Sequence, residues 1–202
     1  MDKNFKLKRV LGVQLPTDPR WVNLAEKSLE EILTDHAFCE QKAATFCISL
    51  IQKYSDKELL VEKLAPIVTE EWGHFRSVLK ELKKRNLKLG EQRKDEYVNA
   101  LSKFVETGTS KERLLLNKLL VCAMIEARSC ERFRLLSLHI QDDALKTFYH
   151  QFMVAEAAHY KLFLNLAEHY VGEEKTRTRW QECLAYEAEI LKTLTPRGDR
   201  IH

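Results

Sequence analysis

Glycine and proline are scarce in this chain, six and four in 202 residues. So few turn formers leave long uninterrupted stretches, which favours helices over a strand-and-turn fold. Cysteine has no useful spacing: the five, at positions 39, 47, 122, 130 and 183, form no C-x-x-C pair. That excludes a cysteine-knuckle metal site and fits reduced thiols acting mostly as small core residues. No apolar run is long enough to span a bilayer, and the basic start MDKNFKLKRVLGVQLP lacks a signal-type apolar stretch. A soluble, cytoplasmic protein with no membrane attachment is expected. A large charge excess is missing as well, since the net charge is only +3, so the molecule as a whole is not a polycation.

What is present is enough apolar chain for one full bundle core, 45% apolar against 31% charged residues. We expect a single all-α domain over residues 1–202, with a core of about 18–171 and a terminal helix of about 173–194. Thr17-Asp18-Pro19 offers a cap for a helix running to about Lys53. Ser55-Asp56-Lys57-Glu58 reads as a capping box for the next helix. Pro66 either kinks that helix or starts its main part. Leu87 to Ser110 reads as a long crossover with a short helix from Lys94 to Val105. Long helices follow from Lys111 to about Leu138 and from Gln141-Asp142-Asp143 to Tyr170, the latter capped by Gly172. The tail TPRGDRIH is expected to be loosely ordered.

Glu71-x-x-His74 and Glu156-x-x-His159 are the only E-x-x-H quartets in the sequence. Glu71 follows Glu40 by 31 residues and Glu156 follows Glu126 by 30, so the chain reads as one helical hairpin made twice. An i, i+3 pair projects from one helix face. One Glu from each of two helices and a Glu-x-x-His pair from each of two others is the ligand inventory of a carboxylate-bridged di-metal site, as in ferritin-like bundles. The quartets alone weigh little: 22 Glu and 7 His in this length give roughly one by chance.

Their surroundings weigh more. Leu33, Ala37, Ala44, Cys47 and Ile51 accompany Glu40, and Leu64, Ile67 and Val78 accompany Glu71 and His74. Leu116, Leu119, Ala123, Cys130 and Phe133 accompany Glu126, and Leu145, Phe148, Phe152, Phe163 and Leu166 accompany Glu156 and His159. Four carboxylates on apolar stripes are tolerable only if cations compensate them. Leu114 to Ile125 is apolar all round, so Glu131 rivals Glu126 there; the hairpin spacing favours Glu126, and Glu131 suits an ion pair with Arg128 or Arg134. Glu70 reads as solvated or as a partner of a ligand. His36, one turn before Glu40, is either a hydrogen-bond partner to that ligand or an ordinary core histidine.

The segments DHAFCEQKAA (35–44), EEWGHFRSVL (70–79), IEARSCERF (125–133) and EAAHYKLFLNLAEHY (156–170) together resemble the tRNA hydroxylase family that acts on 2-methylthio-N6-isopentenyladenosine beside the anticodon. The resemblance covers roughly residues 10–190. It implies a ferritin-like four-helix bundle with a long crossover and a non-haem di-iron monooxygenase that hydroxylates the isopentenyl side chain. Its metal ligands would be Glu40, Glu71, His74, Glu126, Glu156 and His159. The cofactors implied are two iron ions, with dioxygen as co-substrate. Without a C-x-x-C iron centre in the chain, electrons would come from an external donor, a reductase or ferredoxin. Phe75, Phe133, Phe152 and Phe163 line an isopentenyl pocket or belong to the ordinary core.

The expected partner is a tRNA anticodon stem-loop. Lys80, Lys83, Lys84, Arg85, Lys88, Arg93 and Lys94 form a basic run, of which Lys83, Lys84, Arg85 and Lys88 are the candidate RNA contacts. Lys175, Arg177, Arg179, Arg197 and Arg200 make a second concentration. A monomer or small oligomer is expected. The competing readings are a ferritin-like ferroxidase or storage protein, another di-iron oxidoreductase not acting on RNA, such as a radical subunit using Tyr149 or Tyr160, and a metal-free helical interaction protein.

Overall fold

The computed structural model describes residues 11–202, so the first ten residues of the basic N-terminal stretch lie outside the described residues. Every regular element among the described residues is helical, and the chain divides into two compact units.

The first unit comprises Asn23–Lys94 and Arg197–Ile201. The expected opening helix is in fact two, α1 (Trp21–Lys27) and α2 (Leu29–Lys53). The break falls at Ser28, whose N–H bonds Ala25 O at 3.1 Å in a tight turn while its own carbonyl starts α2 by accepting from Ile32. α3 (Glu58–Lys84) returns along α2 as a helical hairpin. Its capping box does not form. The N-cap position falls on Lys57, whose side chain has no acceptor to offer the first turn. Pro66 lies inside one continuous 27-residue helix, and it is solvent-exposed. Asn86, at φ 57°, ends α3, with Leu87 N–H reaching back to Leu82 O at 2.9 Å, a left-handed C-terminal cap.

The tail is not loose. Ile201 is fully buried and donates its N–H to Asp35 Oδ2 at 2.8 Å. Arg93 Nη1 lies 2.7 Å from Asp199 Oδ2. Gly198 passes so close to Leu24 that an added Cβ would stand 2.3 Å from its backbone carbon and oxygen. The composition of TPRGDRIH hides this order because every partner is distant in sequence.

The second unit comprises Asp95–Pro196, His202 and the described residues up to Val22. α4 (Glu96–Leu101) is capped by Asp95, which accepts from Val98 N–H at 2.9 Å, and runs into a 3-10 turn (Ser102–Phe104). Ser110 caps α5 (Lys111–His139) and Asp142 caps α6 (Asp143–Val171). Gly172, at φ 91°, separates α6 from α7 (Glu173–Thr193). α5 and α6 form the second hairpin, and α7 packs on both. α5 is buried along most of its length, and its buried residues include Glu126, Arg128, Glu131 and Arg132 as well as apolar ones.

A buried ionic network ties this unit together. Arg128, fully buried, donates from Nε and Nη2 to Glu187 Oε1 at 2.9 and 2.7 Å, and from Nη1 to Glu131 Oε2 at 2.9 Å. Tyr97 Oη bonds Glu187 Oε1 at 3.2 Å, and Thr17 bonds Glu131 through its N–H and hydroxyl at 2.6 and 2.8 Å. Burial lowers the Arg128 pKa, but the carboxylates of Glu131 and Glu187 outweigh it and hold the guanidinium above its usual value. No helix among the described residues is long and apolar enough to cross a membrane.

Candidate functional site

Each hairpin gathers one triad of two carboxylates and an imidazole. In the first, Glu40 comes from α2, and Glu71 and His74 come from successive turns of α3. His74 Nδ1 lies 3.3 Å from Glu40 Oε2 and 3.5 Å from Glu71 Oε2. In the second, Glu126 comes from α5, and Glu156 and His159 from α6, with His159 Nδ1 3.2 Å from Glu156 Oε2. Within each triad every residue offers a donor atom within 4.8 Å of the others. Two donors each about 2.1 Å from one ion stand up to about 4.2 Å apart, so modest side-chain movement closes either triad on a cation.

All four carboxylates are buried, with Glu71 1% and Glu156 2% exposed. Two ionised carboxylates and one neutral imidazole carry charge −2, which one divalent ion balances. Without such compensation two buried carboxylates this close repel each other at low dielectric.

The alternatives left by the sequence differ in where their side chains lie. Glu131 faces Arg128 and Thr17, whereas Glu126 stands with Glu156 and His159. Glu70 is about half exposed, its carboxylate 3.9 Å from His74 Nε2. His36 is fully buried, with Nε2 2.8 Å from Glu40 Oε1, a contact that fixes the Glu40 carboxylate. Phe75, Phe133, Phe152 and Phe163 are all buried, and Phe133 packs against Tyr149 and Phe152.

Each triad has a cysteine nearby. Burial, then the charge of Glu71, pushes the Cys47 thiol up to about 12. Burial, then Glu156, does the same for Cys130, also to about 12. Both stay protonated at neutral pH, and Cys130 donates to Met153 O at 3.3 Å. All five cysteines are free thiols.

The basic residues divide sharply. Lys83 and Lys88 are exposed, but Arg85 Nε lies 2.7 Å and Lys84 Nζ 3.7 Å from the Glu81 carboxylate. In the second concentration most arginines serve the fold. Arg179 stacks over Phe104 at 3.8 Å and bonds Asn117 at 2.8 Å; Arg197 bonds Asp199, and Arg200 lies 3.6 Å from Asp35. Sequence proximity grouped these cations, but Arg179 and Arg200 find partners in other elements, while Lys84, Arg85 and Arg197 pair with carboxylates two to four residues away.

Comparison with known proteins agrees with this chemistry. Residues 6–202 match the family described as tRNA-(MS[2]IO[6]A)-hydroxylase (MiaE). A tRNA 2-(methylsulfanyl)-N(6)-isopentenyladenosine(37) hydroxylase from Pseudomonas putida is 36% identical over 179 residues, covering 88% of this chain and 85% of its own. The protein of the same description from Salmonella typhimurium is 28% identical, covering 79% and 76%. A solved structure of protein 43 with aldehyde deformylating oxygenase activity from Synechococcus superposes with a TM-score of 0.88 at 32% identity, covering 94% of each chain. The fold is all-α and ferritin-like. With a family match spanning nearly its whole length, the chain belongs to the tRNA-(MS[2]IO[6]A)-hydroxylase (MiaE) family.

Proposed function

We propose that this chain is a non-haem di-iron monooxygenase that hydroxylates the isopentenyl side chain of 2-methylthio-N6-isopentenyladenosine beside the anticodon of tRNA. The observation that carries the reading is the duplicated triad: two buried carboxylates and one imidazole on each hairpin, in a chain of this family. Glu40, Glu71, His74, Glu126, Glu156 and His159 are the ligands, and we read residues 1–202 as a single di-iron domain. The donor set fits two divalent irons, since four carboxylates balance their charge and two imidazoles complete the ligation. The chemistry a bound di-iron centre supplies is reductive activation of dioxygen, one oxygen atom entering an aliphatic C–H bond and the other leaving as water.

The protein's own part is positioning and exclusion. His36 orients Glu40, and the buried rings of Phe133, Phe152 and Phe163 keep water from the neighbourhood of the second triad. Cys47 and Cys130 add packing beside the two triads. Electrons come from an external reductase or ferredoxin, because the five cysteines offer no iron centre of their own. We place the enzyme in the cytoplasm, as a monomer or small oligomer.

The test is direct. Protein loaded anaerobically with ferrous iron, then supplied with oxygen, a reductant and hypomodified tRNA, yields hydroxylated isopentenyladenosine by nucleoside mass spectrometry. Unchanged nucleoside from protein holding two irons per chain defeats the reading.

A further inference from the structure

The outer face of α3 carries a stripe that the ligand triads do not use. Trp72, Arg76, Lys80 and Lys83 follow one another at steps of four, four and three residues, and all four are exposed. At about 100° per residue they fall within an arc of about 80°, and at about 1.5 Å rise they span about 16 Å along the helix. Trp72 is 47% exposed, whereas Trp21 and Trp180 are 2% and 7%. Its ring is seated against Phe75, centroids 4.9 Å apart and planes 31° from parallel, so an aromatic face is presented at little entropic cost. Phe75 adjoins His74 and Trp72 adjoins Glu71, so the stripe begins on the turn that carries the first triad's quartet.

The cations of the stripe are available. Arg76, Lys80 and Lys83 make no ion pair among the described residues, unlike Lys84 and Arg85 beside them, which Glu81 holds. The exposed carboxylate on this part of α3, Glu70, lies about 120° round the helix from Arg76. Of the three tryptophans Trp72 is the exposed one, and it heads a line of cations with no ion pair among the described residues. Base stacking on an aromatic face, continued by phosphate contacts to lysine and arginine, is how single-stranded nucleic acid is gripped.

We infer that Trp72 is a stacking platform for an unpaired base and that Arg76, Lys80 and Lys83 track the phosphates next to it, so that α3 holds the single-stranded anticodon loop of the RNA substrate. This rests on the tRNA-hydroxylase reading, and it moves the RNA contacts from Lys84 and Arg85 to a face that begins further up the helix. RNA is favoured over an acidic electron-donor protein because the stripe needs both a π-face and a row of anions for its partner.

The test uses the full iron-loaded chain and a fluorescently labelled anticodon stem-loop RNA, with affinity read by anisotropy at several salt concentrations and turnover read on whole tRNA. Trp72→Ala weakens binding about 10-fold with the salt slope unchanged, and Trp72→Phe restores most of it. Arg76→Glu and Lys80→Glu weaken binding and lower the salt slope by about 0.7 to 0.9 for each phosphate no longer neutralised. RNA also quenches the exposed Trp72 fluorescence, and Trp72→Phe removes that signal. Iron content and helicity stay at wild-type levels in every variant, and Lys103→Glu, an exposed charge on the second unit, leaves affinity unchanged. Variants that bind RNA within twofold of wild type while wild type hydroxylates tRNA overturn the surface and spare the function. Variants that lose RNA binding although two-iron wild type fails to hydroxylate keep the surface and sink the function. A loss confined to the KM for a protein electron donor assigns the stripe to that donor and overturns the proposal.

Discussion

The first hairpin holds its triad under thin cover: the His74 side chain is 17% exposed, and its neighbours Glu70 and Trp72 face solvent. The second holds an equivalent set with His159 only 2% exposed, packed with a helix that is buried nearly throughout. Behind Glu126, along α5, stands the Arg128 network, which joins three helices and the Thr17 segment. Behind Glu40 stands one histidine, His36, and the C-terminal residues pinned to Asp35. The same ligand-type residues are thus set once in a frame braced by an ionic network and once under thin cover.

The largest expected effect concerns what the two triads share. His74→Ala and His159→Ala should each lose iron and turnover while leaving the chain helical, read by metal analysis, nucleoside mass spectrometry and circular dichroism. Retained turnover in His74→Ala would break the equivalence of the hairpins. Next is Arg128→Ala, which strands the buried Glu131 and Glu187 carboxylates and should cost roughly 3–5 kcal/mol in denaturant unfolding. A loss under about 1 kcal/mol would remove the braced frame from the comparison. Gly198→Ala should displace the tail from Leu24, costing about 1–3 kcal/mol and exposing residues 197–202 to protease.

Iron removal by a chelator sharpens the contrast between frames. Amide exchange should rise more in α2 and α3 than in α5 and α6, because the second hairpin keeps its ionic network when the metal leaves. The smallest effect is an acid one. Asp199 has its pKa lowered from the usual 3.8, first by the Arg197 hydrogen bond and opposed by partial burial. A lowered carboxylate contributes stability above its unfolded pKa, and loses it as pH falls through the folded value. Tail protection should therefore decline below about pH 3.8 in wild type, and Asp199→Asn should flatten that decline.

The long helices and the ligand spacing are legible in the sequence because both are local. An i, i+3 quartet and an apolar stripe are properties of one helix, and Asp95, Ser110 and Asp142 cap within three residues of themselves. Features whose partners are remote, or whose short signal is overruled, are not legible in the same way. The capping box at Ser55 fails because the helix begins past its acceptors. The tail looks loose in composition because Asp35 and Leu24 are far upstream. The Arg128 to Glu187 pair, 59 residues apart, leaves no periodic trace. Trp72 carries no signal in the sequence because exposure, not identity, makes it unusual.

By itself, then, the sequence determined an all-helical chain with two hairpins, six ligand-type residues in register and the words of its family, since each follows from residues within a few turns of one another. Only the tertiary structure decided that Glu126 rather than Glu131 stands with Glu156 and His159, that His36 backs Glu40, and which cations of the basic run Glu81 pairs. A helix apolar on all sides has no preferred face until its neighbours pack, and a charge is neither spare nor paired until the fold brings its partner.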